Sequence, residues 1–145
     1  MTHPHENKTV HIYDLLVLEG HLDTFGHVNH AKYFEILEEA RWDMVTRNGF
    51  GLKEIHKVGL GPVILEAKIK FKRELRLREK IRIETQFLSY NKKIARVGHK
   101  IFNETKKICA EAEILFGLFD IHRRKIVNPT PEWLRAIGIT AADVS

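Results

Sequence analysis

The densest group of reactive side chains lies between Asp23 and Tyr33, where the chain reads Asp-Thr-Phe-Gly-His-Val-Asn-His-Ala-Lys-Tyr. Hydrolysis of an activated acyl group needs a base or nucleophile, and donors for the carbonyl oxygen that gains negative charge. Asp23 is the candidate base or nucleophile. The alternative is that Asp23 only hydrogen-bonds its own loop, as aspartates in turns often do. Spacing alone favours this second interpretation.

A helix that starts just after this group supplies the donors. Asn29 is a good N-cap, and the N–H groups of His30 and Ala31 fall in the first turn, at the positive end of the helix dipole. Gly26 permits a positive φ, which lets the loop fold Asp23 back over the helix start. If Asp23 is catalytic, the segment places its carboxylate beside a helix N-terminus that can bind an oxyanion.

The sequence specifies the roles of the two histidines and of the acidic residues that follow them less clearly. His27 is either a hydrogen-bonding or acid–base partner of the site, or a structural loop residue. His27 and His30 lack the additional ligand of an H-E-x-x-H pattern, so no metal site is predicted. Glu38 and Arg41 have the i, i+3 spacing of a structural ion pair, and a catalytic role for Glu38 is the alternative.

Hydrophobic periodicity predicts the elements that position these residues. Between Asn29 and Asn48, apolar residues recur at spacings of three and four, which is typical of an amphipathic helix whose inner face includes Tyr33. A short helical turn is predicted at 52–57, and alternation predicts strands at 10–19, 63–73, 80–89, 94–103 and 108–120. One strand, one long helix and four successive strands predict an α+β domain with an antiparallel sheet curled around the helix. The whole chain, 1–145, is predicted to be a single domain, with a flexible tail at 1–9 and a C-terminal extension at 122–145 that contains a short helix from Pro131.

The composition of the chain indicates its cellular compartment and the kinds of molecule that it binds. The net charge of +5 favours anionic partners such as nucleic acid, acidic lipid or the phosphates of coenzyme A. The basic clusters contain few interleaved aromatic residues, which favours a nucleotide-tailed small molecule over a polynucleotide. The single cysteine, Cys109, predicts a reducing, cytoplasmic setting and is interpreted as a buried structural thiol. No apolar run approaches membrane-spanning length, and the polar N-terminus is not a secretory signal.

The motif resembles that of hotdog-fold acyl-CoA thioesterases of the 4-hydroxybenzoyl-CoA thioesterase type. The matching residues are Asp23-x-x-Gly26-His27-Val28-Asn29-His30-Ala31-x-Tyr33, followed by Glu38-x-Ala40-Arg41. The resemblance implies a five-stranded antiparallel sheet wrapped around one long helix. It also implies that Asp23 acts as nucleophile or general base, and that a helix-start N–H near His30 polarises the thioester carbonyl.

The stretch is also similar to plant acyl-carrier-protein thioesterases. In that family an Asp and a His of the motif are implicated in catalysis, and they fall on Asp23 and His27. The family's intermediate Asn is absent here, because Phe25 occupies its position. This difference favours the CoA branch.

The resemblance further implies a homodimer or homotetramer with the thioester cleft at a subunit interface. The substrate is expected to be a fatty or aromatic acyl-CoA, with no metal or prosthetic group, since coenzyme A belongs to the substrate. The alternatives are an acyl-acyl-carrier-protein thioesterase and a non-hydrolytic acyl-CoA-binding protein, whereas an RNA-binding module and an acyl dehydratase fit the motif less well. The residues expected to contact the substrate are Asn29, Ala31, Tyr33, Glu38, Arg73 and Arg96.

Overall fold

The computed structural model describes residues 9–145, so nearly all of the predicted tail lies outside the described residues. The strands are β1 Val10–Leu16, β2 Leu60–Phe71, β3 Lys80–Asn91, β4 Ile94–Phe102, β5 Ile108–Asp120 and β6 Lys125–Val127. The helices are α1 His30–Arg47, α2 Leu52–Val58 and α3 Pro131–Ala136, with 3₁₀ turns at Glu19–His21 and Ala141–Asp143.

The six strands form one antiparallel sheet in the order β1-β3-β4-β5-β2, and β6 pairs with the end of β5. The predicted α+β fold with five principal strands is confirmed. The short strand β6, which lies in the C-terminal extension, was not predicted, because three residues are too few for alternation to be recognised.

Several predicted strand ends differ from the structure. β1 ends at Leu16 rather than at residue 19, because Glu19–His21 forms a 3₁₀ turn. β2 begins at Leu60 rather than at residue 63, so the strand includes Pro62. Proline is tolerated there because β2 is an edge strand. The other differences are of one or two residues, at the ends of β2, β3 and β4.

Helix α1 packs its apolar face on the sheet. Its buried residues are Tyr33, Ile36, Leu37, Ala40, Met44 and Val45, at the spacings that predict one helical face. They meet inward-pointing side chains of β3, β4 and β5, such as Ile83, Ile101 and Ile114. Full burial of each large apolar side chain contributes about 1.5–3 kcal/mol, so this contact fixes the position of the helix start. Within residues 9–145, no helix combines the length and the apolarity that crossing a bilayer requires.

The C-terminal extension closes the other end of the core. Thr130 caps α3 by accepting a hydrogen bond from the N–H of Trp133 at 3.2 Å. The indole of Trp133 is buried and lies edge-on to Phe50 and Phe116. Cys109 is also buried, and burial raises the pKa of its thiol, in keeping with the predicted structural role.

Candidate active site at the start of the long helix

The segment before α1 forms a tight loop closed by backbone hydrogen bonds. The N–H of Asp23 donates to the carbonyl of His27 at 2.8 Å, and the N–H of Gly26 donates to the carbonyl of Asp23 at 3.2 Å. Gly26 has a φ of 86°, a left-handed conformation of the kind that a glycine permits at this position. The loop therefore turns back sharply just before the helix begins.

The Asp23 carboxylate is held by its own loop. Its Oδ1 accepts hydrogen bonds from the N–H groups of Phe25 at 2.9 Å and His27 at 3.3 Å. The interpretation that Asp23 hydrogen-bonds its own turn is thus realised in the structure. Within the described chain, no residue donates a hydrogen bond to Oδ2, and the side chain is only half-buried. One carboxylate oxygen is fixed in place while the other has no protein partner among these residues.

The connection between β2 and β3 supports this loop from the side. The N–H of Val28 donates to the carbonyl of Leu75 at 3.1 Å, and His27 forms an isolated β-bridge with Arg76. The Leu75 side chain is fully buried and anchors the connection in the core. The position of Asp23 therefore depends on a segment about fifty residues later in the chain.

The side chain of His27 pairs with Glu74. The His27 Nε2 atom lies 2.6 Å from Oε2 of Glu74, and both side chains are partly exposed. Hydrogen bonds from Arg76, and then the charge of His27, lower the pKa of the Glu74 carboxyl. Glu74 was not among the predicted site residues, because it lies in a charged turn that was interpreted as part of a basic cluster. No spacing rule relates two positions so far apart.

The helix start has the predicted cap. Oδ1 of Asn29 accepts a hydrogen bond from the N–H of Ala31 at 2.9 Å. This donor is therefore already engaged. Among residues 9–145, none accepts a hydrogen bond from the N–H of His30, whose side chain is exposed. The free donor of the first turn is thus the N–H of His30.

Tyr33 belongs to the core beside this site. It is 4% exposed, and its ring packs edge-on against Phe71 with the centroids 4.9 Å apart. Burial, together with nearby acidic groups that include Glu74 and Asp23, raises the pKa of Tyr33 to about 12. The phenol therefore keeps its proton at neutral pH.

Glu38 and Arg41 lie further along α1 and do not pair with each other. Glu38 accepts a hydrogen bond from Nε1 of Trp42 at 3.3 Å, whereas Arg41 turns inward to Nε2 of His99 at 3.0 Å. Glu38 is eight residues beyond His30, which is roughly 12 Å along the helix axis. Glu38 therefore lies well beyond the helix start where the Asp23 loop ends.

The two arginines expected to contact the substrate lie in different places. Arg73 directly precedes Glu74 and donates to the carbonyl of Ile108 at 3.5 Å, at the end of the sheet that faces the Asp23 loop. Arg96 lies on β4, where its side chain is exposed on the face away from α1 and 3.9 Å from Glu113. Within one chain the structure brings Arg73, but not Arg96, close to the other site residues.

The described residues offer no preformed metal site. In the part of the chain from Thr9 onward, no group of three or more His, Cys, Asp and Glu side chains is arranged to hold a metal ion. The loop supplies a fixed carboxylate at Asp23, and the start of α1 supplies a backbone N–H donor.

Comparisons with known proteins show the family of this chain. Residues 17–137 match the model of the thioesterase-like superfamily. The long-chain acyl-CoA thioesterase FadM of Escherichia coli is 32% identical over 107 residues, which cover 72% of this chain and 80% of FadM.

Solved structures share the architecture. The probable thioesterase YbaW of Escherichia coli aligns with a TM-score of 0.78 and 27% identity, over 88% of this chain and 98% of that one. SAV2348 of Staphylococcus aureus, solved in complex with CoA, aligns with a TM-score of 0.85 and 17% identity, over 95% and 87% of the two chains. The predicted hotdog fold and the predicted relation to thioesterases are confirmed at the level of the superfamily, and the chain belongs to the thioesterase-like superfamily.

Proposed function

We propose that this protein hydrolyses acyl-CoA thioesters to a free acid and CoA, with Asp23 as the catalytic carboxylate. Membership of the thioesterase-like superfamily and the similarity to FadM, named for acyl-CoA hydrolysis, support the reaction. The CoA complex of SAV2348, a protein of the same fold, supports the choice of CoA. The observation that carries the proposal is the Asp23 carboxylate, held through Oδ1 with Oδ2 unpaired among the described residues.

In the proposed reaction, Asp23 takes a proton from water, and the resulting hydroxide attacks the thioester carbonyl. The tetrahedral intermediate then collapses, the C–S bond breaks, and the CoA thiolate leaves and receives a proton. If Asp23 attacks directly, an acyl-aspartate anhydride forms and water hydrolyses it, which returns the same carboxylate. Both routes need Asp23 ionised and close to the carbonyl carbon.

The oxyanion donor that we propose is the N–H of His30. The sequence suggested both His30 and Ala31, but the Ala31 N–H is engaged by the Asn29 side chain. The positive end of the α1 dipole favours negative charge at the same point. Asn29 therefore acts by shaping the helix start, and Tyr33 forms the apolar wall beside it.

His27 and the two arginines have supporting roles in this proposal. His27, held by Glu74 at 2.6 Å, orients the loop whose N–H groups fix Asp23. Arg73 contacts a phosphate of CoA, whereas Arg96 faces away from α1 and would reach a substrate only from another copy of the chain. In this proposal the chemistry uses no metal or prosthetic group.

The free thiol of Cys109 supports a cytoplasmic location, because disulfides are rare in that compartment.

The test is Asp23→Asn, measured by release of free thiol from a panel of fatty and aromatic acyl-CoAs, with acyl-acyl-carrier-protein as a second substrate class. Asparagine keeps the Oδ1 acceptor and removes the base, so turnover should fall about 10²–10⁴-fold. The matched control is Asp120→Asn, because Oδ1 of Asp120 accepts two loop N–H groups in the same way, from His122 and Arg123. Near-wild-type turnover of Asp23→Asn would refute the assignment.

We also propose that two copies associate through β2, as a homodimer or as the dimeric unit of a homotetramer. β2 is an edge strand with twelve residues, and along it Ile64, Leu65 and Phe71 are exposed. Long apolar edges favour pairing with another strand. Leu65→Lys should shift the mass measured by light scattering toward the monomer, whereas Leu77→Lys, on the β2–β3 connection, should not. A monomeric wild-type protein would contradict this part of the proposal.

A further inference from the structure

One end of the sheet is covered by loops that carry exposed apolar side chains. This loop end consists of residues 17–28, 72–80 and 103–107, which join neighbouring strands or lead into α1. Phe25, in the Asp23 loop, is 85% exposed, and Leu18 and Leu77 are each 43% exposed. A group of exposed apolar side chains on neighbouring loops, unlike a single one, marks an interaction surface.

Hydrogen bonds hold the loops with these three apolar tips side by side. The N–H of Arg78 donates to the carbonyl of Val17 at 2.8 Å, which joins the β2–β3 connection to the segment after β1. The bridge between His27 and Arg76 joins the same connection to the Asp23 loop. The apolar tips therefore lie next to one another at one end of the sheet.

The β2–β3 connection bends toward β1 and away from the edge that we assign to subunit pairing. β1 and β2 are the opposite edges of the sheet. β2 ends at Phe71, six residues before Leu77, and the connection then meets the segment that carries Leu18. Pairing of two copies along β2 therefore needs neither Leu18 nor Leu77.

The loop end also carries positive charge that no carboxylate neutralises. Each of its carboxylates already accepts a hydrogen bond from a neighbour, and these residues are Glu19, Asp23, Glu74, Glu79 and Glu104. Several of its cations, by contrast, have no carboxylate within 4.0 Å anywhere in residues 9–145. They are Arg73, which the proposed reaction assigns to CoA, and Lys80, Lys106 and Lys107.

The turn with the two free lysines lies beside the apolar tips. The N–H of Lys80, at the start of β3, donates to Oε1 of Glu104 at 2.8 Å, so the β4–β5 turn lies against the β2–β3 connection. Lys106 and Lys107 in that turn are exposed. Unpaired cations and exposed apolar side chains therefore share one surface.

A bilayer that contains anionic lipid has the chemistry that complements this surface. Apolar side chains enter the boundary between headgroups and acyl chains, while lysines remain among the phosphates. A folded protein partner would need a pocket shaped for each separate tip, whereas fluid lipid adapts to all of them. We propose that the loop end docks on anionic membrane surfaces through Leu18, Phe25 and Leu77.

Docking brings the proposed hydrolytic centre to the membrane surface, because Phe25 is two residues from Asp23. Long-chain acyl-CoA partitions reversibly into bilayers through its single acyl chain. The protein would then meet its substrate where that substrate accumulates. This consequence rests on the proposed function, whereas docking itself does not.

Sedimentation with lipid vesicles measures the docking. The protein should bind vesicles that contain phosphatidylglycerol and phosphatidylcholine in about equal parts, and bind pure phosphatidylcholine vesicles about tenfold or more weakly. Binding should also weaken as salt is added, because exposed charges are screened.

Substitutions separate the apolar and the charged contributions. Leu18→Asp and Leu77→Asp should each lower the affinity for anionic vesicles about tenfold. The matched control is Leu52→Asp, because Leu52 is 60% exposed but lies on α2, outside the loop end.

The charged contribution is tested by Lys106→Gln combined with Lys107→Gln. Each cation near an anionic surface raises the binding constant about fivefold, so the double variant should bind about tenfold or more weakly. Lys53→Gln combined with Lys57→Gln removes the same charge from α2 and should change the affinity little.

Two activity measurements distinguish docking from hydrolysis. Asp23→Asn should bind anionic vesicles as the wild type does, although its hydrolysis is lost. Leu77→Asp should hydrolyse water-soluble hexanoyl-CoA at the wild-type rate, but should act more slowly on palmitoyl-CoA held in anionic vesicles.

Three outcomes would overturn the proposal. The first is equal binding, or none, to anionic and neutral vesicles, and the second is unchanged affinity in the aspartate variants or in the lysine double variant. The third is a lower mass of Leu18→Asp or Leu77→Asp in light scattering, which would assign the surface to a contact between copies of the chain.

Discussion

The guanidinium of Arg41 donates a hydrogen bond to the imidazole of His99 at 3.0 Å, linking the long helix to the middle of the sheet. His99 is 2% exposed, and its other ring nitrogen meets Thr85 at 2.9 Å. Burial, and then the positive charge of Arg41, lower the pKa of His99 to about 3. The core therefore contains a histidine that is neutral because its only basic nitrogen is already used as an acceptor.

This pairing predicts a specific acid sensitivity. The unfolded chain protonates His99 below about pH 6.5, whereas the folded protein keeps it neutral down to about pH 3. Because the unfolded state binds the additional proton, stability falls as the pH drops through this window, by about 1.4 kcal/mol per unit. Urea denaturation of the wild type and His99→Gln at several values between pH 4 and 7 measures the effect.

The His99→Gln variant is the control in that experiment, because it lacks the titrating imidazole. Glutamine does not titrate, so the free energy of unfolding of His99→Gln should decline less steeply on acidification. Carboxylates with lowered pKa values, such as Asp14 and Glu74, are common to both proteins and cancel in the difference. A difference between the two proteins that is independent of pH would show that His99 titrates normally.

The conformation of Gly26 predicts a cost for any side chain there. Gly26 has a φ of 86°, and a Cβ added to it would meet no atom within 4 Å. The positive φ, rather than a steric clash, is therefore what disfavours alanine at this position. Gly26→Ala should destabilise the protein by about 1 kcal/mol and reduce thioester hydrolysis about tenfold or more, because the Asp23 turn shifts.

Gly20 is the matched control for this substitution. A Cβ on Gly20 also meets open space, and its φ lies outside the left-handed region. Gly20→Ala should therefore leave both thermal stability and turnover close to those of the wild type. Equal effects of the two substitutions would refute the role assigned to the Gly26 conformation.

The cap at Asn29 allows stability to be separated from catalysis. Asn29→Ala removes the acceptor of the Ala31 N–H and should cost about 1 kcal/mol of folding free energy. Asn29→Asp keeps the cap, so thermal unfolding should remain near that of the wild type. Turnover should nevertheless fall at least tenfold, because the added charge opposes an oxyanion at the same helix start.

Thermal unfolding and thiol release on the three proteins provide the comparison. If Asn29→Asp hydrolyses acyl-CoA at the wild-type rate, the oxyanion does not form at the start of α1. If Asn29→Asp loses as much stability as Asn29→Ala, the capping role is wrong instead.

Local signals predicted the helix that carries the site. The predicted bounds of α1, the cap at Asn29 and the buried stripe that includes Leu37 agree with the structure, and Gly26 has the positive φ that its lack of a side chain permits. Each of these features depends on residues within about four positions of one another, where backbone geometry restricts the possibilities. The predicted strands were less well bounded, because β2 has a proline that only an edge position tolerates.

The sequence by itself therefore determined the family motif, the α+β order of elements and the carboxylate at the helix start. The tertiary structure decided which side chains meet there, including the contact of His27 with Glu74. It also turned Arg41 away from Glu38 toward His99, which is 58 positions away. Contacts across such separations depend on sheet register and on the packing of the helix on the sheet, and the spacing of residues along the chain does not encode them.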